Sequence, residues 1–134
     1  MRLLLDTHVW LWALAAPERL SRRARQAVED GENELWLSSM SIWEAHLLAE
    51  RGRIKLDLPP ADWIERELTR FPLRDAPVTR GIAMASRSVR LAHDDPADRF
   101  IVATALLEGL RLVTADVRVL GSGACPTLSA GRSR

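Results

Sequence analysis

Three carboxylates sit where the chain gives them no easy route to solvent. Glu44 falls on a helical spacing with Met40, Leu47 and Leu48, and Asp98 with Ile101, Val102 and Ala105, so each looks out along an apolar stripe. Asp6 closes the run Leu3-Leu4-Leu5 and precedes Val9-Trp10-Leu11. A carboxylate pointing inward is costly unless it meets a cation, a donor or a cleft. Each also has an ordinary explanation. Asp6 is a preferred helix N-cap, Glu44 completes a capping box with Ser41, and Asp98 suits a first helical turn, as Asp95 before Pro96 suits an N-cap. Taken together, several inward acids imply one shared cation. His8, His46, His93 and the lone Cys125 have no zinc-ligand spacing, so the ion is a hard one, Mg²⁺ or Mn²⁺. Such ions orient a water and stabilise phosphodiester oxygens during in-line displacement, which is nuclease chemistry.

The elements that must position these acids follow from periodicity. Arg2 to Leu5 reads as a buried strand leading directly into a helix through Leu14. Leu20 to Val28 is an amphipathic helix, Glu34 to Ser38 a strand, and Ser39 or Ser41 caps a helix that Gly52 ends. Pro60 to Phe71 and Thr79 to Leu91 read as helices, with at most a short strand at Leu73 between them. Ala97 to Leu107 is a strongly apolar helix with Pro96 at its first position and Gly109 beyond it. Leu110 to Val113 is a strand, and Thr127-Leu128 an edge strand. Strands alternating with helices specify the α/β class, a parallel sheet with helices on both faces. Ligands bind beyond the carboxyl ends of such strands, where Asp6 and Asp116 both fall, although Asp116 also suits an ordinary turn.

At 134 residues, 47% hydrophobic and 28% charged, the chain is expected to form one globular domain over residues 1–128, with 129–134 a flexible tail. One cysteine closes no internal disulfide, and no apolar run approaches a membrane span, so the expected compartment is the cytoplasm. The net charge of +1 neither advertises nor excludes a nucleic-acid partner. Eighteen of the nineteen basic residues are arginine, leaving Lys55 as the single lysine. That scarcity argues against phosphoaspartate chemistry of the dehalogenase or receiver type, which pairs its aspartate with a lysine further along. Gly121-Ser122-Gly123 lacks the lysine and the following helix of a phosphate loop.

In order along the chain, Leu4-Leu5-Asp6-Thr7-His8-Val9-Trp10, Ser41-Ile42-Trp43-Glu44, Arg51-Gly52-Arg53-Ile54, Asp95-Pro96-Ala97-Asp98-Arg99 and Leu112-Val113-Thr114-Ala115-Asp116 form a pattern that resembles PIN domains. Within that family the chain is similar to VapC-like toxins of type II toxin–antitoxin systems. The resemblance implies a three-layer α/β fold with a mostly parallel sheet of about four to five strands. It also implies a Mg²⁺- or Mn²⁺-dependent endoribonuclease with Asp6, Glu44, Asp98 and Asp116 as metal-holding and catalytic residues. Thr7 and Thr114 would position water or phosphate, and Arg99 would meet phosphate or fix the acids through an ion pair. Asp94 stands where relatives often carry arginine, and Ala45-His46 replaces an apolar pair. The implied partners are an RNA substrate, a cognate antitoxin, and a second copy in a homodimer that becomes a heterotetramer or larger with antitoxin. Arg22, Arg23, Arg25, Arg51 and Arg53 are the candidate RNA contacts, with Arg87 and Arg90 nearer the Asp98 motif. The alternative is a silent PIN-like module that binds RNA or a partner without cutting it.

Overall fold

Leu3, Leu4 and Leu5 are all fully buried, although alternate residues of a strand face opposite ways. Burial on both faces is what a central strand of a parallel sheet demands. In the computed structural model, which describes residues 1–131, β1 (Arg2–Leu5) is the middle strand of five. β2 (Glu34–Ser38) and β3 (Arg74–Ala76) lie on one side of it, and β4 (Arg111–Thr114) and β5 (Thr127–Ser129) on the other. The order is β3-β2-β1-β4-β5, every pair parallel. The fold is therefore the expected α/β class, and the strand order reverses direction at β1–β4.

One face of the sheet, through Leu3, Leu5 and Val113, packs on α1 (Thr7–Ala15), α2 (Arg22–Glu29) and α4 (Pro60–Arg70). Trp10 of α1 is fully buried there, 6.2 Å from the Trp63 ring of α4. Burying a side chain of that size contributes roughly 1.5–3 kcal/mol or more, enough to fix how α1 leaves β1. The opposite face, through Leu4 and Leu112, packs on α5 (Arg80–Ala85) and α6 (Pro96–Glu108). The short α7 (Val117–Ser122) joins that layer through Val119. The remaining helix, α3 (Ser39–Glu50), touches both layers, with Ala45 in one core and Met40 against the other.

Four local expectations change. Ser38, not Ser39 or Ser41, caps α3, its side chain accepting from the Met40 N–H. Ser41 is instead buried inside the helix, which dissolves the capping box and frees Glu44 for another task. The helix expected over Thr79–Leu91 stops at Ala85, because the carbonyls of the following residues turn toward Arg99. The helix α7 is hidden in the sequence by its six-residue length and its Gly121-Ser122 end. Ser129 and Ala130, expected to open a tail, are held: Ser129 lies in β5, and Ala130 is fully buried with its N–H on the Thr114 carbonyl at 2.8 Å. The last three residues of that expected tail lie outside the described part.

Candidate functional site

The carboxyl ends of β1 and β4 lie side by side, the Asp6 N–H donating to the Val113 carbonyl at 3.0 Å. Asp6 therefore leaves β1 directly beside Thr114, the last residue of β4. Asp6, and Ala115 just beyond β4, open on a cleft of about 340 Å³. Asp6, Glu44, Asp98 and Asp116 all line it, with Asp95, His8, Trp12 and Arg118. The four acids predicted from separate parts of the chain thus share one cavity at the strand-order reversal, where α/β sheets bind ligands.

Each acid is held by its own element. Asp6 caps α1, Oδ1 accepting from the Thr7 N–H at 2.9 Å, and Oδ2 accepts the Thr114 hydroxyl at 2.7 Å. Glu44, mid-way along α3, accepts a hydrogen bond from the Thr7 hydroxyl, whose oxygen is also 2.9 Å from Ser41 Oγ. Asp98 is in the first turn of α6, its Oδ2 2.9 Å from His93 Nε2. Asp116 caps α7, Oδ1 accepting the Arg118 N–H at 2.8 Å, and its carboxylate pairs with the Arg118 guanidinium at 3.1 Å. The bland and the functional readings of Asp6 and Asp116 are thus compatible: one oxygen caps while the carboxylate still faces the cleft.

Crowding shows in the proton affinities. Burial is the main force raising the Asp6 carboxyl, against its hydroxyl and N–H donors. Burial first, then repulsion from Asp6 and Asp98, pushes Glu44 up to about 7. Asp98 rises to about 6, again through burial and against its His93 bond. For Asp116 burial also pushes upward, but the bonds from Arg118 outweigh it and hold the carboxyl below its ordinary value. Three acids that resist ionising and face an open cleft make a site that a multivalent cation satisfies. His93, Asp98 and Asp116 each place a ligand atom within 4.8 Å of the other two, a spacing that would let one imidazole nitrogen and two carboxylates meet a single ion.

Other expected roles are reassigned. Thr7 and Thr114 are buried, and their hydroxyls are engaged on carboxylates, so they orient acids rather than water or phosphate. Arg99 meets none of the four acids. Its buried guanidinium donates to the backbone carbonyls of Ser86, Arg87, Val89, Leu91 and His93, at 2.8–3.3 Å. It shapes the loop between α5 and α6 that delivers His93. Asp95 caps α6 at the cleft rim, accepting the Asp98 N–H at 3.2 Å. Asp94 is exposed and pairs with Arg87 at 3.1 Å, and His46 is half-buried away from the cleft lining. Trp10 is core, Trp12 lines the cleft under the Arg19 guanidinium, and Trp43 is half exposed.

None of Arg22, Arg23, Arg25, Arg51 and Arg53 lines the cleft; the arginine that does is Arg118. Sequence reading missed both Arg118 and His93. The signals were present, an arginine two residues after Asp116 and a histidine five before Asp98, but neither had an element to place it.

A sequence profile described as PIN domain matches residues 3–120. The chain is 39% identical over 117 residues to ribonuclease VapC22 of Mycobacterium tuberculosis, covering 87% of this chain and 88% of that protein. Among solved structures, it superposes on VapBC2 from Rickettsia felis bound to a promoter DNA fragment with a TM-score of 0.71 at 17% identity, over 97% of this chain and 99% of that one. FitAcB from Neisseria gonorrhoeae gives 0.66 at 22% identity, over 94% and 96%. At such identities the structural likeness speaks for the fold, and VapC22 carries the closer comparison.

Proposed function

The chain belongs to the PIN domain family, and from that premise we propose that it is a metal-dependent endoribonuclease, the toxin of a toxin–antitoxin pair. The observation that carries this reading is the convergence of Asp6, Glu44, Asp98 and Asp116 on one open cleft. No ion pair within 4 Å neutralises Asp6 or Glu44 among the described residues, and oxygen-rich donors of this kind suit Mg²⁺ or Mn²⁺. The ion, when bound, supplies charge that stabilises phosphodiester oxyanions and acidifies water.

Asp6 and Asp98 are the principal holders, with Asp116 and His93 completing the set. The Thr114 hydroxyl fixes the rotation of Asp6, so the oxygen that faces the cleft does not wander. Thr7 engages Glu44 Oε1, leaving Oε2 to accept the proton of the attacking water. Asp95, Asp98 and Asp116 line the same cleft, so an anion entering it without a cation would be repelled.

The substrate of this reading is RNA, with the exposed arginines Arg22, Arg23, Arg51 and Arg53 extending the contact beyond the cleft and Arg25 beside them. VapC22 is named a ribonuclease, and two of the structural neighbours are described as a toxin–antitoxin complex and a member of a toxin–antitoxin family, which supports an antitoxin as the silencing partner. A homodimer, a heterotetramer with antitoxin and a cytoplasmic location complete the proposal. Among the described residues no helix is long and apolar enough to cross a membrane.

The test is RNA-end sequencing after induction of the wild type and of Asp6→Asn, paired with cleavage by purified protein in Mn²⁺ and in EDTA. Wild-type cleavage that needs the ion and drops by on the order of 10³-fold in Asp6→Asn is expected. Binding of RNA without cleavage at every metal level would replace the enzyme with a binding module.

A further inference from the structure

Arg118 stands between two clefts of opposite character. In the acid cleft its Nη2 is 3.1 Å from Asp116 Oδ2 and 3.7 Å from Asp98 Oδ2, and its Nε is 3.3 Å from Asp116 Oδ1. The same side chain lines a neighbouring cleft of about 360 Å³ with Arg90, Ala92, His93, Gly121 and Ser122. That second lining contains two arginines and a histidine and no carboxylate. Arg90 makes no ion pair within 4 Å among the described residues, so its charge is available to an anion from outside.

The pairing of Arg118 with the acids is easily exchanged. Its side chain is 56% exposed although the Asp116 and Asp98 side chains it meets are only 22% and 14% exposed, so the guanidinium already reaches solvent and can leave the pair without being dragged through the core. A divalent ion held by Asp98 and Asp116 would compete with the guanidinium for the same oxygens, and the Arg118 side chain already borders the arginine-lined cleft to which it would turn. There its planar fork matches the two free oxygens of a phosphodiester.

We propose that Arg118 is a phosphate-binding residue with two positions: on Asp116 and Asp98 in the metal-free protein, and on an RNA phosphodiester in the Arg90–His93 cleft once the ion is bound. The inference rests on the nuclease reading and adds to it the side of the site from which the RNA backbone is held. Arg118 thereby opposes the cation before binding and favours the substrate after it, two effects of opposite sign from one side chain.

The measurements are Mn²⁺ affinity by titration calorimetry without RNA, for wild type, Arg118→Ala and Arg118→Lys, and single-stranded RNA affinity by fluorescence anisotropy in Mn²⁺. The second uses a Glu44→Gln background to suppress cleavage. Arg118→Ala is expected to bind Mn²⁺ about two- to fivefold more tightly. It should bind RNA more weakly, with a salt dependence shallower by about 0.7 in log–log slope, the loss of one single-strand phosphate contact. Arg118→Lys restores the slope but not the full RNA affinity, because it lacks the fork. Unchanged or weaker Mn²⁺ binding in Arg118→Ala, or an unchanged salt slope, overturns the proposal. If the wild type cleaves no RNA while these two shifts appear, the enzymatic reading fails and the role of Arg118 stands.

Discussion

The two walls of the acid cleft hold their carboxylates by different means. On the β1–α3 wall, Asp6 and Glu44 are held by neutral donors, the hydroxyls of Thr114 and Thr7 and one backbone N–H. On the α6–α7 wall, Asp98 is bonded to the His93 ring, and the Arg118 guanidinium pairs with Asp116 and lies 3.7 Å from Asp98. A neutral donor fixes orientation and leaves the negative charge uncompensated; a cationic donor fixes orientation by compensating it. The first wall is an unmet demand for an ion, whereas the second must release a partner to serve one. The proton affinities follow the same division at its extremes, with Glu44 pushed up to about 7 and Asp116 held below its ordinary value.

The sharpest way to break this contrast is to neutralise one acid from each wall. Glu44→Gln should cut RNA cleavage by about 10²–10³-fold and raise the melting temperature in EDTA, because it removes a desolvated, repelled charge. Asp116→Asn should lower the melting temperature slightly instead, since Arg118 loses its partner. Melting scans in EDTA and cleavage rates on the same preparations decide it; equal signs in the scans would erase the distinction.

A smaller effect is expected from the neutral donors themselves. Thr114→Val keeps the shape of the side chain and removes the hydroxyl that orients Asp6, so Mn²⁺ affinity should fall about 10- to 100-fold, as for other partners of metal ligands. Titration calorimetry measures it, and an affinity within twofold of wild type would mean that the backbone N–H alone positions Asp6.

The smallest signal is in the pH dependence of stability. A carboxyl that holds its proton more tightly when folded makes the unfolded state the better acid, so these groups destabilise the fold as pH rises. For Asp98 and Glu44, whose ordinary values are 3.8 and 4.5, the penalty is absent below about pH 4 and complete above about 7. Urea midpoints in EDTA should therefore fall between pH 5 and pH 8 through their contribution, and saturating Mn²⁺ should reduce that fall. A midpoint that rises with pH in EDTA would contradict the crowded-acid description of both walls.

The acids were legible in sequence because helical spacing exposes a carboxylate on an apolar stripe, and because strand ends in an α/β sheet converge. Their partners were less so. Thr7 and Thr114 were visible as neighbours of acids, but only their burial shows that the hydroxyls are spent on Glu44 and Asp6. In sequence, Arg99 beside Asp98 reads as meeting phosphate or fixing the acids through an ion pair, yet adjacent helical residues point about 100° apart, and Arg99 turns to the loop while Asp98 turns to the cleft. Arg118 escaped because α7 is too short to show periodicity. The strands β1, β2 and β4 were read closely because each carries an apolar run, whereas Arg74–Ala76 and Thr127–Ser129 have one buried residue each and only Leu128 to mark the second.

The five carbonyls gathered by Arg99 bear on how this molecule can change over generations. A carbonyl is the same group whatever side chain follows it, so the path from Ser86 to His93 is held by these bonds and by the buried Ser86, Val89 and Leu91, not by the identities of the exposed Arg87, Ser88, Arg90 and Ala92. Substitutions at those four exposed positions can alter the cationic cleft next to the acids while the path of the chain persists. Arg99 enjoys no such freedom, and neither does His93, whose ring is needed at the end of that path. Variation in what the site grips and constancy in how the site is built are thus divided between a loop and the single side chain that holds it.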